Sequence, residues 1–335
     1  MFFLFPSSFF FLFFMVLGVF VSLSSSNIFL VWCGLEMNLM GFIPLMIQLK
    51  NLGEVEAAVK YFLVQSFGSA MILMGGILYF YDVGFFSLGF SVLIFSGLFV
   101  KLGVFPFYFW LPSVMISLDW VSCTLIATWQ KVAPFGILMT LSHSELSLIS
   151  FGVMSSLVGG ILGMNQVNVK SLLAYSSIGH MGWMISVCKY SMSICMVYLI
   201  LYLVSNFFIF FLLMKMNFYR MKTIKSVSNM YSFYMILLGF SFLALAGIPP
   251  LLGFFPKLLS IEVLLSSHHS VGTFLLVLGT CFSLYYYISL VLNSYSNSYY
   301  WNWNKSVLYV NSLGYSLMFL VTINLLSLVM LVMMI

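Results

Sequence analysis

The chain has 335 residues, 63% of them hydrophobic and 6% charged, with a mean hydropathy of +1.15 and a formal net charge of +5. Soluble domains carry roughly 25% charged residues, so a soluble fold is excluded. The apolar runs are long and unbroken rather than alternating in pieces of about ten residues, which excludes a membrane β-barrel. The 12 Lys and Arg are scattered through lipid-length segments, which excludes a nucleic-acid-binding face.

A membrane helix needs about 20 apolar residues, so the chain has room for roughly eleven or twelve. It opens MFFLFPSSFFFLFF with no basic leader, as expected of a protein inserted during synthesis within its own compartment. Spans are predicted at 2–23, 27–48, 56–80, 86–116 and 120–141, then at 145–163, 169–187, 190–216, 231–266, 271–293 and 308–335. Short polar or turn-forming separators divide them, among them SLSSSN (22–27), QLKNLGEVE (48–56), LSHSE (141–145), NQVN (165–168) and SSHHS (266–270).

Two of the segments, 86–116 and 231–266, are longer than a bilayer requires. Gly103 and Pro106 interrupt the first; Gly247, Pro249, Pro250 and Gly253 interrupt the second. Proline removes a backbone donor and clashes with the preceding turn. Irregular backbone at membrane depth survives only where protein or water satisfies it. Both segments are therefore expected to be broken helices. LGVFP (102–106) and LGFFP (252–256) agree at four of five positions, with Lys101 before one and Lys257 after the other. They suggest two five-helix repeats of opposite topology, over 1–142 and 143–294, followed by a loop and terminal helix over 295–335. The fold class is thus an all-α polytopic membrane protein of about eleven helices with the fourth and ninth broken.

The basic residues orient the chain. Lys50, Lys170, Lys215, Arg220, Lys222 and Lys225 fall on one side by parity, against Lys189 and Lys305 on the other. The crowded side is expected to be the matrix or cytoplasm and to hold both termini. YSNSYYWNWNK (295–305) reads as an aromatic belt on the opposite face. The five cysteines form no CxxC and read as free thiols in apolar surroundings.

A few charges lie where charge is expensive. Glu36 is about nine residues into the second span, about 14 Å deep, and Lys131 about eleven residues into the fifth, about 16 Å deep. Lys101 and Lys257 adjoin the two breaks, and His180 lies midway along the seventh span. A lone charge at mid-bilayer costs at least about 2.5–3.5 kcal/mol, so such groups face the bundle interior, pair, or touch water. Glu36 reads as the sole buried acid, with Lys101 as its partner. A lysine whose charge depends on that partner can carry a proton, and Ser176, Ser177 and His180 could extend the file. The plainer alternatives are snorkelling for Lys101 and Lys257 and a satisfied core histidine for His180. Glu56 and Lys60 read as a solvated helix end; Asp82, Asp119 and Glu145 read as loop or helix-end charges. Within the spans only His180 lies deep, so no haem-binding histidine pair is present, nor is a cysteine cluster, GxGxxG or P-loop, and the chain is expected to hold no cofactor or metal and to do no redox chemistry itself.

These residues sit in longer blocks: WCGLEMNLMGFIPL (32–45), KYFLVQSFGSA (60–70), KLGVFPFYFWLP (101–112), ATWQKVAPFG (127–136), GGILGMNQVNVKSLLAYSSIGHMGW (159–183) and AGIPPLLGFFPK (246–257). In order and spacing the chain resembles the antiporter-like membrane subunits of the respiratory NADH–ubiquinone oxidoreductase, complex I. The resemblance implies two inverted five-helix repeats plus a terminal helix. It implies a buried Glu–Lys pair at Glu36 and Lys101, a central lysine at Lys131 and an outward lysine at Lys257. The implied activity is proton translocation coupled to quinone reduction elsewhere, with NADH, flavin, iron–sulfur clusters and ubiquinone handled by other subunits. The implied partners are neighbouring membrane-arm subunits and lipids such as cardiolipin, not nucleic acid, in the mitochondrial inner membrane. Tyr108, Ser113 and Lys170 depart from the family's usual His, Glu and Arg, which questions a route through the fourth helix. A stand-alone cation/proton antiporter and a purely structural arm subunit are the alternatives.

Overall fold

The computed structural model describes residues 6–48, 51–80, 87–141, 145–216, 229–249 and 251–296. The expected terminal span at 308–335, most of the 295–305 stretch, and Lys50, Asp82, Arg220, Lys222, Lys225 and Lys305 lie outside them.

Every regular element among the described residues is a helix: α1 (Pro6–Ser24), α2 (Ile28–Met46), α3 (Leu52–Phe80), α4 (Ser87–Leu102), α5 (Trp110–Ser117), α6 (Trp120–Ala127), α7 (Trp129–Thr140), α8 (Glu145–Met164), α9 (Val169–Val187), α10 (Met192–Met216), α11 (Asn229–Ala246), α12 (Phe254–Ser266) and α13 (Ser270–Ser296). Six of these, α1, α2, α3, α8, α10 and α13, are long and apolar enough to cross a membrane. Large apolar side chains such as Phe10, Phe13, Phe20, Phe67 and Phe207 stand exposed on them, which suits lipid and not water. The chain divides into two compact units, Met1–Ser144 and Glu145–Ile335.

In the first unit α1 packs along α2, and α3 packs against both α2 and α4. Phe42, Leu45, Leu98, Val104, Leu111 and Phe135 are fully buried there. In the second unit α9 runs through the middle, against α8, α10, α12 and α13. All but two of its residues are buried, the polar Lys170, Ser176, Ser177 and His180 among them.

Both long segments break as expected. The first leaves α4 at Gly103, where φ is +67°. Val104 N–H donates to Phe99 O at 3.1 Å and Gly103 N–H to Val100 O at 3.2 Å, the paired bonds of a Schellman cap. The second leaves α11 at Gly247, where φ is +84°. Ile248 N–H donates to Leu243 O at 3.4 Å and Gly247 N–H to Ala244 O at 3.1 Å, the same cap. The structural counterpart of Gly103 is therefore Gly247. The LGVFP/LGFFP match pairs it with Gly253, which opens α12 in ordinary helical backbone at φ −71°.

A third break was not foreseen. The expected continuous span at 120–141 is cut at Thr128 into α6 and α7. Thr124 and Thr128 turn their hydroxyls onto the carbonyls of Val121 and Thr124, a local bond that loosens a helix. Pro134 then removes the donor that would have met the Gln130 carbonyl.

Candidate functional site

The lysines named from the sequence are buried: Lys101 is 6% exposed, Lys131 3% and Lys257 7%. Each sits beside a helix interruption. Lys101 occupies the last turn of α4. Lys131 is the third residue of α7, just past Thr128. Lys257 lies in the first turn of α12, and its Nζ donates to Ala246 O, 2.8 Å away at the end of α11. The last carbonyls of a helix have no internal donor, and the helix carries partial negative charge there. The Lys257 ammonium meets both needs at the end of α11.

The local sequence makes these positions. Trp110 Nε1 donates to Val100 O at 3.0 Å and closes the end of α4 behind Lys101. Gln65 Nε2 donates to the Lys101 carbonyl at 3.4 Å. At the second break a Cβ on residue 247 would stand 2.8 Å from Lys257 Nζ, so glycine serves both the positive φ and the lysine's approach.

Glu36 is half-buried on α2. The expected direct pair with Lys101 does not form, since no ion pair within 4.0 Å joins them. They act on each other through space, and Glu36 acts likewise on Tyr61 of α3. α3 packs against the helices of both. Glu36 is also not the only acid inside: Glu54, at the start of α3, is 2% exposed and accepts from Asn51 Nδ2 at 3.2 Å. Glu56 and Lys60 form an exposed pair one turn further on.

A polar chain that sequence reading missed runs next to Lys131. Tyr61 O–H donates to Gln130 Oε1 at 3.1 Å, and Gln130 Nε2 donates to Asn38 Oδ1 at 3.2 Å. It ties α3, α7 and α2 together. The signal was present in sequence: Asn38 is two residues from Glu36, Gln130 adjoins Lys131 and Tyr61 adjoins Lys60.

In the second unit His180 is buried on α9, and its Nδ1 is 3.1 Å from the Tyr198 hydroxyl of α10. It lines a cavity with Lys257, Ser176, Trp183 and Tyr286 that has space for a water-sized molecule. Ser176 and Ser177 donate to Leu173 O and Ala174 O on their own helix. Tyr202 also stands beside the imidazole, 5.4 Å between ring centroids.

Other expected positions shift. Lys170, counted with the loop charges, is buried in the first turn of α9. Cys123, Cys188 and Cys195 are buried, but Cys281 is exposed and Cys33 half-buried on outer helix faces. Glu262, not singled out before, is exposed on α12. Tyr108 is buried and stacked on Phe109 at 4.0 Å, and Ser113 donates to Trp110 O at 2.8 Å. Among the described residues no group of three or more His, Cys, Asp or Glu is placed to hold a metal.

Apolar helices long enough to span a bilayer, two of the longer segments broken beside buried lysines, define a polytopic membrane protein. The family model described as "NADH:quinone oxidoreductase/Mrp antiporter, TM" matches residues 25–283, and the chain belongs to that family. It is 35% identical over 283 residues to NADH-ubiquinone oxidoreductase chain 2 of Lumbricus terrestris, covering 84% of each chain. It is 37% identical over 285 residues to the chain of that name from Scyliorhinus canicula, covering 82% of each. Among solved structures it resembles a chain of respiratory complex I from Thermus thermophilus, with TM-score 0.78 and 25% identity, covering 86% of this chain and 70% of that one. A chain of the Mrp complex from Dietzia shares the fold at TM-score 0.78 and 16% identity, covering 86% of this chain and 59% of the other.

Proposed function

We infer that the chain is a core membrane-arm subunit of a proton-translocating NADH:ubiquinone oxidoreductase, and that Glu36, Lys101, Lys131, His180 and Lys257 carry protons within it. The observation that carries the reading is the burial of three lysines, each beside an interruption of its helix. An ammonium ion in such surroundings is expensive unless the fold needs it there. In the first unit a change of charge at Glu36 alters the field at Lys101, since the two interact without direct contact. In the second, Lys257 and His180 share a cavity that can hold a water between them. Redox cofactors belong to other subunits of the complex, and the driving change reaches this chain as an electrostatic signal. The two units correspond to the inverted repeats, the location is the mitochondrial inner membrane with both termini on the matrix side, and the partners are neighbouring antiporter-like subunits and lipids such as cardiolipin.

The deciding experiment is Lys131→Met in the assembled complex, with NADH oxidation and proton pumping measured together in sealed vesicles. We expect pumping to fall at least several-fold. Wild-type values for both would remove Lys131 from the path. A stand-alone antiporter would instead exchange cations after purification as a single chain.

A further inference from the structure

His180 stands in the wall between two cavities. One holds Lys257, with Ser156, Ser176, Trp183, Ser283 and Tyr286 around it. The other lies on the α10 side, among Tyr198, Tyr202, Ser205, Leu252, Gly253 and Pro256. Each has space for a water-sized molecule. Tyr198 is 2% exposed, so its hydroxyl meets the imidazole Nδ1, at 3.1 Å, in a site that bulk water does not reach.

We propose that Tyr198 is a positioning residue for His180, whose hydroxyl donates to Nδ1 of the neutral ring and accepts from the same nitrogen once the ring is protonated. A hydroxyl can do both, because it has one proton and two lone pairs and rotates about its C–O bond. While Tyr198 donates, the neutral ring keeps its single proton on Nε2. When Nδ1 takes a second proton, the bond reverses: the ring donates, the hydroxyl oxygen accepts, and the Tyr198 O–H turns into the cavity beside Ser205. There the Ser205 oxygen or a water accepts it. No charge is left on Tyr198, and the ring has a partner in both states.

The polar groups that line the two cavities beside the ring are Tyr198, Tyr202 and Ser205 from α10, Lys257 from α12, Tyr286, Ser283 and Thr280 from α13 and Ser156 from α8; among the described side chains of α11, Leu245 joins them. On α9 itself, Ser176 and Ser177 donate their protons to the helix backbone. Lys257 repels a cationic ring. The Tyr198 oxygen gives a protonated His180 an acceptor at Nδ1.

This inference rests on the reading of His180 as a relay member, so the test has two arms in the assembled complex. Tyr198→Phe and His180→Gln are compared with wild type for protons pumped per NADH across a range of pH. Tyr198→Met, which fills the space with an adaptable apolar chain, carries the same expectation if the Phe variant does not assemble. Losing the oxygen should move the alkaline limb of the Tyr198→Phe pumping profile about one unit to lower pH, because hydrogen bonds to charged groups are the stronger ones. Pumping at the acid end should be kept. A uniform loss with an unmoved limb would make Tyr198 a packing residue and overturn the proposal while leaving the relay intact. Unimpaired pumping in His180→Gln would remove His180 from the relay and the proposal with it.

Discussion

Lys257 Nζ and the Ala246 carbonyl oxygen meet at 2.8 Å across the gap between α11 and α12, so the lysine of one half-helix satisfies the open end of the other. The contact depends on Gly247, which sits at φ +84° directly under the ammonium group.

Gly247→Ala should therefore do two kinds of damage. A non-glycine residue at positive φ costs about 1–2 kcal/mol, and its Cβ would press on Lys257 Nζ at 2.8 Å. Gly103→Ala shares the backbone penalty at φ +67°, but its Cβ would meet the apolar Leu111 Cδ1 at 2.9 Å. We expect both variants to lower the heat-inactivation midpoint of the complex. The ratio of protons to NADH should fall further in Gly247→Ala.

Glu36→Gln tests action at a distance. Glu36 has no ion pair with Lys101, so removing its charge breaks no direct bond there. Assembly on native gels should be unchanged and proton pumping should fall several-fold. Glu36→Asp keeps the charge and should retain most of the pumping.

Tyr61→Phe would leave Gln130 Oε1 without its donor inside the first unit. The expected loss is about 1–2 kcal/mol, the usual result of stranding a buried acceptor. A lowered heat-inactivation midpoint checks it. Because Gln130 adjoins Lys131, pumping should also decline more than NADH oxidation in artificial-acceptor assays.

The sequence shows where along a helix a charge lies, but not which way it points. Depth counting put Lys131 inside the membrane layer, and its side chain is buried. The same counting could not show that Tyr61 of α3 reaches Gln130, or that Lys101 makes no ion pair with Glu36. Glycine and proline marked the two broken helices correctly. Short motifs misplaced the equivalence between them, because a Schellman cap needs glycine at one backbone position and tolerates varied neighbours. The break at Thr128 had weaker cues, two threonines and a proline six residues on, each common in unbroken membrane helices. Glu54 shows the reverse error. A helix-start acid reads as solvated, yet this one is enclosed at the end of the first unit.

Pro134→Ala addresses that third break. An alanine there can donate to the Gln130 carbonyl and remove a helix-interior penalty of about 3 kcal/mol. The variant should resist heat better than wild type. If the break at Thr128 serves Lys131, it should pump less, and a stabilised complex with full pumping would show the interruption to be incidental.

Both interrupted segments end their first half on carbonyls, α4 at Lys101 and α11 beside Lys257. The partial negative charge of those ends welcomes a cation and turns away an anion. At α11 the Lys257 ammonium already sits on that end, so the charge left at the break turns on whether the lysine holds its proton. Loss of that proton would leave a bare carbonyl end facing a neutral amine, a state that the backbone dipole itself drives back toward the cation.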